Sequence, residues 1–490
     1  MKKLLEKRTN PLFAVLVIFL LGFFLINDLD IRYIYIYVLL GIVFVAGILM
    51  AGIWHPGMKL KQTLREIWGR ITPIKACFLF LVAVTTVLAF LPNSNLGHLV
   101  VSLTISMLVF TVYLVFMEPG KKDIHRAFCA IHVMSILFSF YIIAVMLWPN
   151  FYWENIYPYL GEYVQSQAAK LLPMGYGVPM GGSSTYTDYI LTIALMVNAG
   201  GIFIEGAPRD WKRFVFIVLS SVLYVTGILL MGRRSEVLAL GAAGLVMLVL
   251  HIRPSDKKDS IRRWSAVLAI ILVGILVLTP FVKGGYMHRY TSLIEAVLPE
   301  QEEAPLPTAP SKQEEVEKPT EPLTKVEKPS ADQLTSGRMG LWKTALELFK
   351  ENPVFGIGWE QFMNHNTYEH DVHNTYLQWL CESGMVGFVL LMTPTMFMYA
   401  MTFKRTIRYR RKNRSVSYAV KQMNFVSLGM QTFLLAVNLI DPAYYHLNYF
   451  CFYALVIGLE DAAGRLEEET VTRSEKTCLI KAIWESAKLF

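Results

Sequence analysis

The chain has 490 residues, of which 54% are hydrophobic and only 17% charged, and its mean hydropathy is +0.42. A soluble protein carries about a quarter charged residues, so an ordinary soluble domain is excluded. The formal net charge of +8 does not indicate nucleic-acid binding, because the basic residues gather in short loops between apolar runs, as positive-inside topology requires.

The apolar runs are long enough for a helix to cross about 30 Å of hydrocarbon. A strand-built barrel would show short alternating segments instead. The cysteines Cys77, Cys129, Cys381, Cys451 and Cys478 show neither pairing nor metal-ligand spacing, and read as small apolar residues.

Met1–Asn10 carries Lys2, Lys3, Lys7 and Arg8, which predicts a cytoplasmic N-terminus. Asn27–Asp30 lacks a small-residue cleavage site, so the first span reads as retained. Spans are predicted at about 11–26, 33–53, 74–91, 99–116, 128–147, 190–204, 215–231, 237–251, 264–282, 384–403, 424–439 and 449–459. With these crossings, the loops carrying Lys59–Arg70, Lys121–Arg126, Pro208–Phe214, Arg253–Arg263 and Lys404–Lys421 all fall on one side. The fold class is therefore all-α: a polytopic membrane protein of about twelve transmembrane helices, multi-pass in the cytoplasmic membrane, with both termini inside.

Four segments follow: a membrane bundle over 1–282, an external loop region over 283–383, membrane helices over 384–460, and a cytoplasmic tail over 461–490. The tail ends in an amphipathic stretch (Leu479, Ile480, Ile483, Trp484, Ala487) suited to a membrane surface. The first long external loop, Trp148–Tyr189, is rich in aromatics that favour the membrane–water boundary. Within the larger one, 299–333 is rich in Pro, Glu and Lys, repeats Val-Glu-Lys-Pro, and reads as a disordered spacer.

The polar stretch Ser336–Gly387 separates that spacer from a span. Ser336 is a candidate N-cap, and Trp342, Ala345, Leu346 and Phe349 recur with helical period until Asn352-Pro353 ends the pattern. These spacings predict a short amphipathic helix with Arg338 in its first turn, where backbone N–H groups already favour an anion. Arg233 and Arg234 sit between two apolar runs with Glu236 close by, and ionisable groups at such depth are functional candidates. His365, His370 and His373 lack a metal-ligand spacing, and no metal or cofactor is expected. A neutral imidazole suits a general base better. His373 is the preferred base, His370 a possible helper and His365 a bystander.

Ser-Gly-Arg-x-x-x-Trp at Ser336–Trp342, Pro-x-Phe-Gly-Ile-Gly at Pro353–Gly358, His-Asn-Thr-Tyr-Leu-Gln at His373–Gln378 and Glu-Ser-Gly-x-x-Gly at Glu382–Gly387 together resemble the core of the O-antigen ligase/O-antigen polymerase superfamily. Gly232–Leu240 is similar to that family's shorter arginine element, with Arg234 at the arginine and Arg233 as the alternative. The resemblance implies a membrane glycosyltransferase of the outer face, metal-independent and inverting. Its donor would be a polyprenyl-diphosphate-linked oligosaccharide, and its acceptor a glycan or lipid. It further implies that Arg338 and Arg234 bind the diphosphate and that His373 activates the acceptor hydroxyl. Arg233, Arg289, His370, Asn374 and Trp342 complete the expected substrate-binding set. Polymerase is preferred to ligase, for O-antigen or capsule. A solute transporter is the rival from another class, disfavoured because the spans lack mid-membrane acidic residues and the ionisable clusters sit at the outer face.

Overall fold

A computed structural model of the chain describes residues 68–91, 120–179, 184–204, 210–251, 257–283, 338–366, 370–411, 416–445 and 452–468, with isolated positions at their margins. Among these residues the regular structure is helical and contains no strand. The predicted spans at 11–26, 33–53 and 99–116, together with Arg289, Ser336, the spacer and the amphipathic tail, lie outside the described residues.

Local chemistry starts the helices. Helix α1 (Pro73–Ala89) opens with Thr72 accepting from the Lys75 amide at 3.5 Å and Pro73 in the first turn. Helix α2 (Lys121–Leu147) opens where the Gly120 amide donates to Asp123 Oδ2 at 3.1 Å. Two short helices, α3 (Pro149–Asn155) and α4 (Glu162–Leu171), occupy the aromatic stretch after α2. Then come α5 (Ser184–Phe203), α6 (Trp211–Leu230, capped by Asp210), α7 (Arg234–His251) and α8 (Lys257–Lys283). After the spacer the chain forms α9 (Arg338–Glu351), α10 (Thr375–Arg411), α11 (Tyr418–Val437) and a last helix, α12, over 452–468.

Five of these helices, α2, α5, α6, α7 and α10, are long and apolar enough to cross a membrane; α1 and residues Arg263–Leu278 of α8 are shorter apolar helices. Lipid-facing surfaces are carried by residues such as Val133, Leu137 and Phe140 of α2 and Leu268, Leu272 and Leu276 of α8, all exposed. Helix α11 is the converse. It buries Gln422, Asn424, Ser427 and Gln431 and lies against α5, α7 and α10. Most of these polar groups find partners inside the protein, as a hydrocarbon surround demands, although the Gln431 side-chain oxygen accepts no hydrogen bond from the described residues. Asn424 Nδ2 donates to Glu460 at 2.8 Å and Ser427 to the Val456 carbonyl at 3.0 Å.

Several helices begin earlier than hydropathy predicts: α5 at Ser184, α8 at Lys257 and α10 at Thr375. The additional turns are polar. At α5 and α10 they face protein rather than lipid, with Thr187, Asp188, Thr375, Gln378 and Glu382 buried. Asp188, expected in the loop Trp148–Tyr189, is instead a fully buried carboxyl side chain inside α5. The apolar face of α9 also differs from its predicted register. Leu341 and Ala345 are buried with Phe362, Val372 and Cys381, whereas Leu346 is 41% exposed.

Candidate active site at one end of the bundle

The loop after α9 and the start of α10 are joined backbone to backbone. The amides of Ile357 and Gly358 donate to the carbonyls of Cys381 and Glu382, each at 2.9 Å. In return, Met385 and Val386 donate to Pro353 at 2.9 Å and to Val354 at 3.2 Å. Two glycines permit this approach. A Cβ on Gly356 (φ +70) would stand 2.4 Å from the Glu382 carbonyl, and one on Gly384 (φ +64) would stand 2.3 Å from that of Val354. Both conformations are left-handed, which glycine adopts without strain. Gly384 also kinks α10. The glycine spacings of two motif blocks are thus the two halves of one seam.

Glu382, buried at the seam, organises the turn beneath it. Its carboxylate accepts the amides of Glu360 (3.0 Å) and Phe362 (3.2 Å), Gln378 Nε2 (3.2 Å) and the Tyr445 hydroxyl (2.7 Å). Gln378 Nε2 also reaches Asp371 Oδ1 at 3.3 Å. The ring of Trp359 stacks on Tyr445 with centroids 4.9 Å apart.

His373 precedes α10 in a left-handed conformation, φ +53, rare for a residue with a side chain. Its Nδ1 is buried and takes no hydrogen bond from the described residues. Burial, followed by the charge of Arg338, pushes its imidazole below the ordinary histidine range, against the opposing pull of Asp441 and Asp371. His373 is therefore neutral near neutral pH and able to accept a proton. The His370 ring lies 6.4 Å away and is exposed, while His365 is exposed and bonded to the Gln361 carbonyl at 2.9 Å. Asn374 caps α10, its Oδ1 accepting the amides of Tyr376 (3.0 Å) and Leu377 (3.1 Å). Trp342 packs at the edge of the α9 cluster with its indole N–H buried.

The arginines meet at the turn after α11. Arg338, first residue of α9, donates from Nη1 to the Ile440 carbonyl at 2.7 Å. The next residue, Asp441, pairs with Arg233 Nη2. Thr375 ties the start of α10 to the same turn: its amide donates to the Asn438 carbonyl at 2.8 Å, and its hydroxyl reaches the Asp441 carbonyl at 3.1 Å. Turn 438–441 thus brings Arg338, Arg233 and His373 together, although they are far apart in the chain. The Arg233 guanidinium is engaged by protein on every edge: Glu236 Oε1 at 2.8 Å from Nε, Asp441 at Nη2, and Ser184 and Thr185 at Nη1. Burial opposes its charge, but Glu236, Asp441 and Asp188 outweigh that and raise its pKa. Arg234 is half-buried in the first turn of α7 beside it.

Sequence reasoning missed Asp441, Glu360 and the pair Ser184–Thr185. Asp441 and Ser184–Thr185 are remote in the chain from the arginine they hold, and no motif marks them. The cap role of Asn374 had a signal, since asparagine is a strong N-cap residue. Among the described residues no three His, Cys, Asp or Glu side chains are placed to hold a metal ion.

Residues 219–392 match the family model described as O-Antigen ligase. The match starts within α6 and ends within α10, taking in Arg233, Arg234, Arg338 and His373. Among curated proteins, the exopolysaccharide production protein ExoQ of Rhizobium meliloti (strain 1021) is 25% identical over 138 residues, covering 25% of this chain and 30% of that protein. The chain thus spans under a third of that relative's length. The matched segment contains every motif block whose glycines, arginines and histidine converge at this end of the bundle, and over that segment the chain is similar to the O-Antigen ligase family.

Proposed function

We infer that the protein is a membrane glycosyltransferase of surface-polysaccharide assembly, which extends a glycan with repeat units from a polyprenyl-diphosphate-linked donor. The observation that carries this reading is the meeting of Arg338, the Arg233–Arg234 pair and a neutral His373 around turn 438–441. A planar guanidinium forms two parallel charge-assisted bonds to a phosphate and needs no proton transfer to stabilise it. Arg234 and Arg338 take the diphosphate in this reading, and Arg233 anchors their position through Asp441.

The acceptor hydroxyl attacks the anomeric carbon opposite the diphosphate. The new C–O bond forms as the C–O bond to phosphate breaks, giving inversion. The electron pair leaves on the diphosphate, held by the arginines, and the hydroxyl proton passes to His373. Neither a nucleotide sugar nor a metal has a role in these steps.

The site is assigned to the external face. Helix α2 begins with Lys121 and Lys122, α6 with Lys212 and Arg213, and α10 ends among Lys404–Arg411, all at the opposite end from His373. Positive-inside topology then puts His373 outside, in the cytoplasmic membrane.

Purified protein in liposomes, given a lipid-linked repeat unit alone, is expected to yield a ladder of products. Transfer only to an added second acceptor means a ligase that attaches the glycan elsewhere. Solute flux without turnover means a transporter and overturns the reading.

A further inference from the structure

The Glu360 carboxyl has no part in the chemistry above, yet its backbone is held as His373's is. Glu360 (φ +56) and His373 (φ +53) are the two non-glycine residues with positive φ among those described. Left-handed backbone at a residue with a side chain is strained and persists where its surroundings enforce it, often at functional sites. Here the surroundings are visible. Glu382 pins the Glu360 and Phe362 amides, and Gln378 bridges Glu382 to Asp371. Asp371 is the common neighbour, acting electrostatically on both Glu360 and His373. The Glu360 carboxyl itself accepts no hydrogen bond from the described residues.

We propose that Glu360 is a second proton carrier of this site, receiving through the Asp371 carboxylate the proton that His373 takes from the acceptor hydroxyl. The proposal rests on the glycosyltransferase reading. In the relay, the N–H bond on His373 breaks as an O–H bond forms on the Asp371 carboxylate. That O–H bond then breaks as one forms on Glu360, which releases the proton to external water. The imidazole is returned neutral for the next transfer.

The proton affinities run in the required direction. Burial, then the charge of Asp371, raises Glu360 to about 7, while burial and Arg338 hold His373 below the ordinary imidazole range. Transfer from imidazolium to the Glu360 carboxylate is therefore downhill. The other groups facing the pair are Glu382 and Tyr445 beside Glu360, and His370, Arg338 and Asp441 beside His373. Glu382 is already engaged by four donors, and Tyr445 donates to Glu382.

The test uses the full chain in liposomes with a polyprenyl-diphosphate-linked repeat unit, measured from mildly acidic to mildly alkaline pH. Wild-type turnover is expected to rise with pH and to inflect near 7 as Glu360 loses its proton. Glu360→Gln should lower kcat by about tenfold or more with KM unchanged, and remove that inflection. Acetate should restore turnover in Glu360→Ala and leave the wild type unaffected. A Glu360→Gln protein with wild-type kcat and pH profile, or one altered in KM alone, overturns the relay. If Glu360→Gln does not accumulate, Glu360→Asp serves: a displaced inflection supports the relay and an unmoved one overturns it. Product ladders from wild type with an unchanged variant remove only the relay. No product from wild type removes the underlying reading as well.

Discussion

Charged groups are buried at both ends of the bundle, with opposite outcomes. Far along α10 from His373, the carboxylates of α12 are closed by partners. Asp461 accepts Lys75 Nζ at 3.1 Å, Arg465 Nε at 3.2 Å and the Thr72 hydroxyl at 2.6 Å. Glu460 pairs with Arg405 and accepts Asn424 at 2.8 Å, and Glu467 accepts the Tyr409 hydroxyl at 3.1 Å. Around His373, by contrast, the imidazole Nδ1 and the Glu360 carboxyl take no hydrogen bond from the described residues, and both residues have left-handed backbone. Buried polar groups in folded proteins are normally paired, and hydrogen-bonding capacity left unused beside enforced strain fits the proposal that a substrate completes the network at this end. On the proposed reading, the closed end stabilises and the open end reacts.

The sharpest way to break this contrast is His373→Ala. Loss of a general base costs about a hundredfold to ten-thousandfold in rate. The variant should insert and melt like wild type, because no hydrogen bond among the described residues depends on Nδ1, while ladder formation falls by at least about a hundredfold. Full activity in a folded His373→Ala protein would transfer the base role elsewhere.

Glu460→Ala reverses the roles. Removing one partner of a buried ion pair costs up to about 3–5 kcal/mol, and here it leaves Arg405 with Glu467 as its carboxylate partner, 3.8 Å away. Thermal unfolding of the detergent-solubilised protein should shift sharply downward, with the activity of each folded molecule preserved. A stable Glu460→Ala protein with impaired turnover would show that the closed end also serves the chemistry.

Arg338→Lys probes the open end at lower amplitude. A charged hydrogen bond is worth about 1.5–3 kcal/mol, and lysine keeps the charge but loses the planar fork. Turnover should fall by about tenfold to a hundredfold with stability little changed. Equal activity of Arg338→Lys would argue against a diphosphate clamp.

Legibility in the sequence followed the same division. Apolar length located α1, α6 and α7 closely, because those helices present continuous apolar surface to lipid, whereas α2 begins seven residues before its predicted span. The early turns of α5 and α10 were missed since their polar residues face protein, which hydropathy cannot register. The four motif blocks were readable as a group, but their physical reason was not. Gly356 and Gly384 are separated in the chain and are explained by each other's carbonyl contacts across the seam. Arg338 and His373 lay within motifs, whereas Asp441 joins the site only through the α11 turn, a contact no local pattern encodes. Leu346 was placed on the buried face because the periodic match at Trp342, Ala345 and Phe349 could accommodate it, and the side of α9 meeting Phe362 and Val372 lies one position back, at Leu341.

The smallest effect is expected at Asn374, where the two kinds of polar residue meet. The sequence reading gave it to the substrate, and its Oδ1 caps α10 beside the strained His373. Removing an N-cap costs about 1 kcal/mol, so Asn374→Ala should lower the melting temperature slightly and reduce turnover modestly as the His373 backbone loosens. Asn374→Ser retains an oxygen that accepts the same amides, and it is expected to restore both stability and turnover. If Asn374→Ser regains stability without activity, the amide nitrogen serves the substrate as well. Asn374 would then belong to the open end rather than to the framework that holds it.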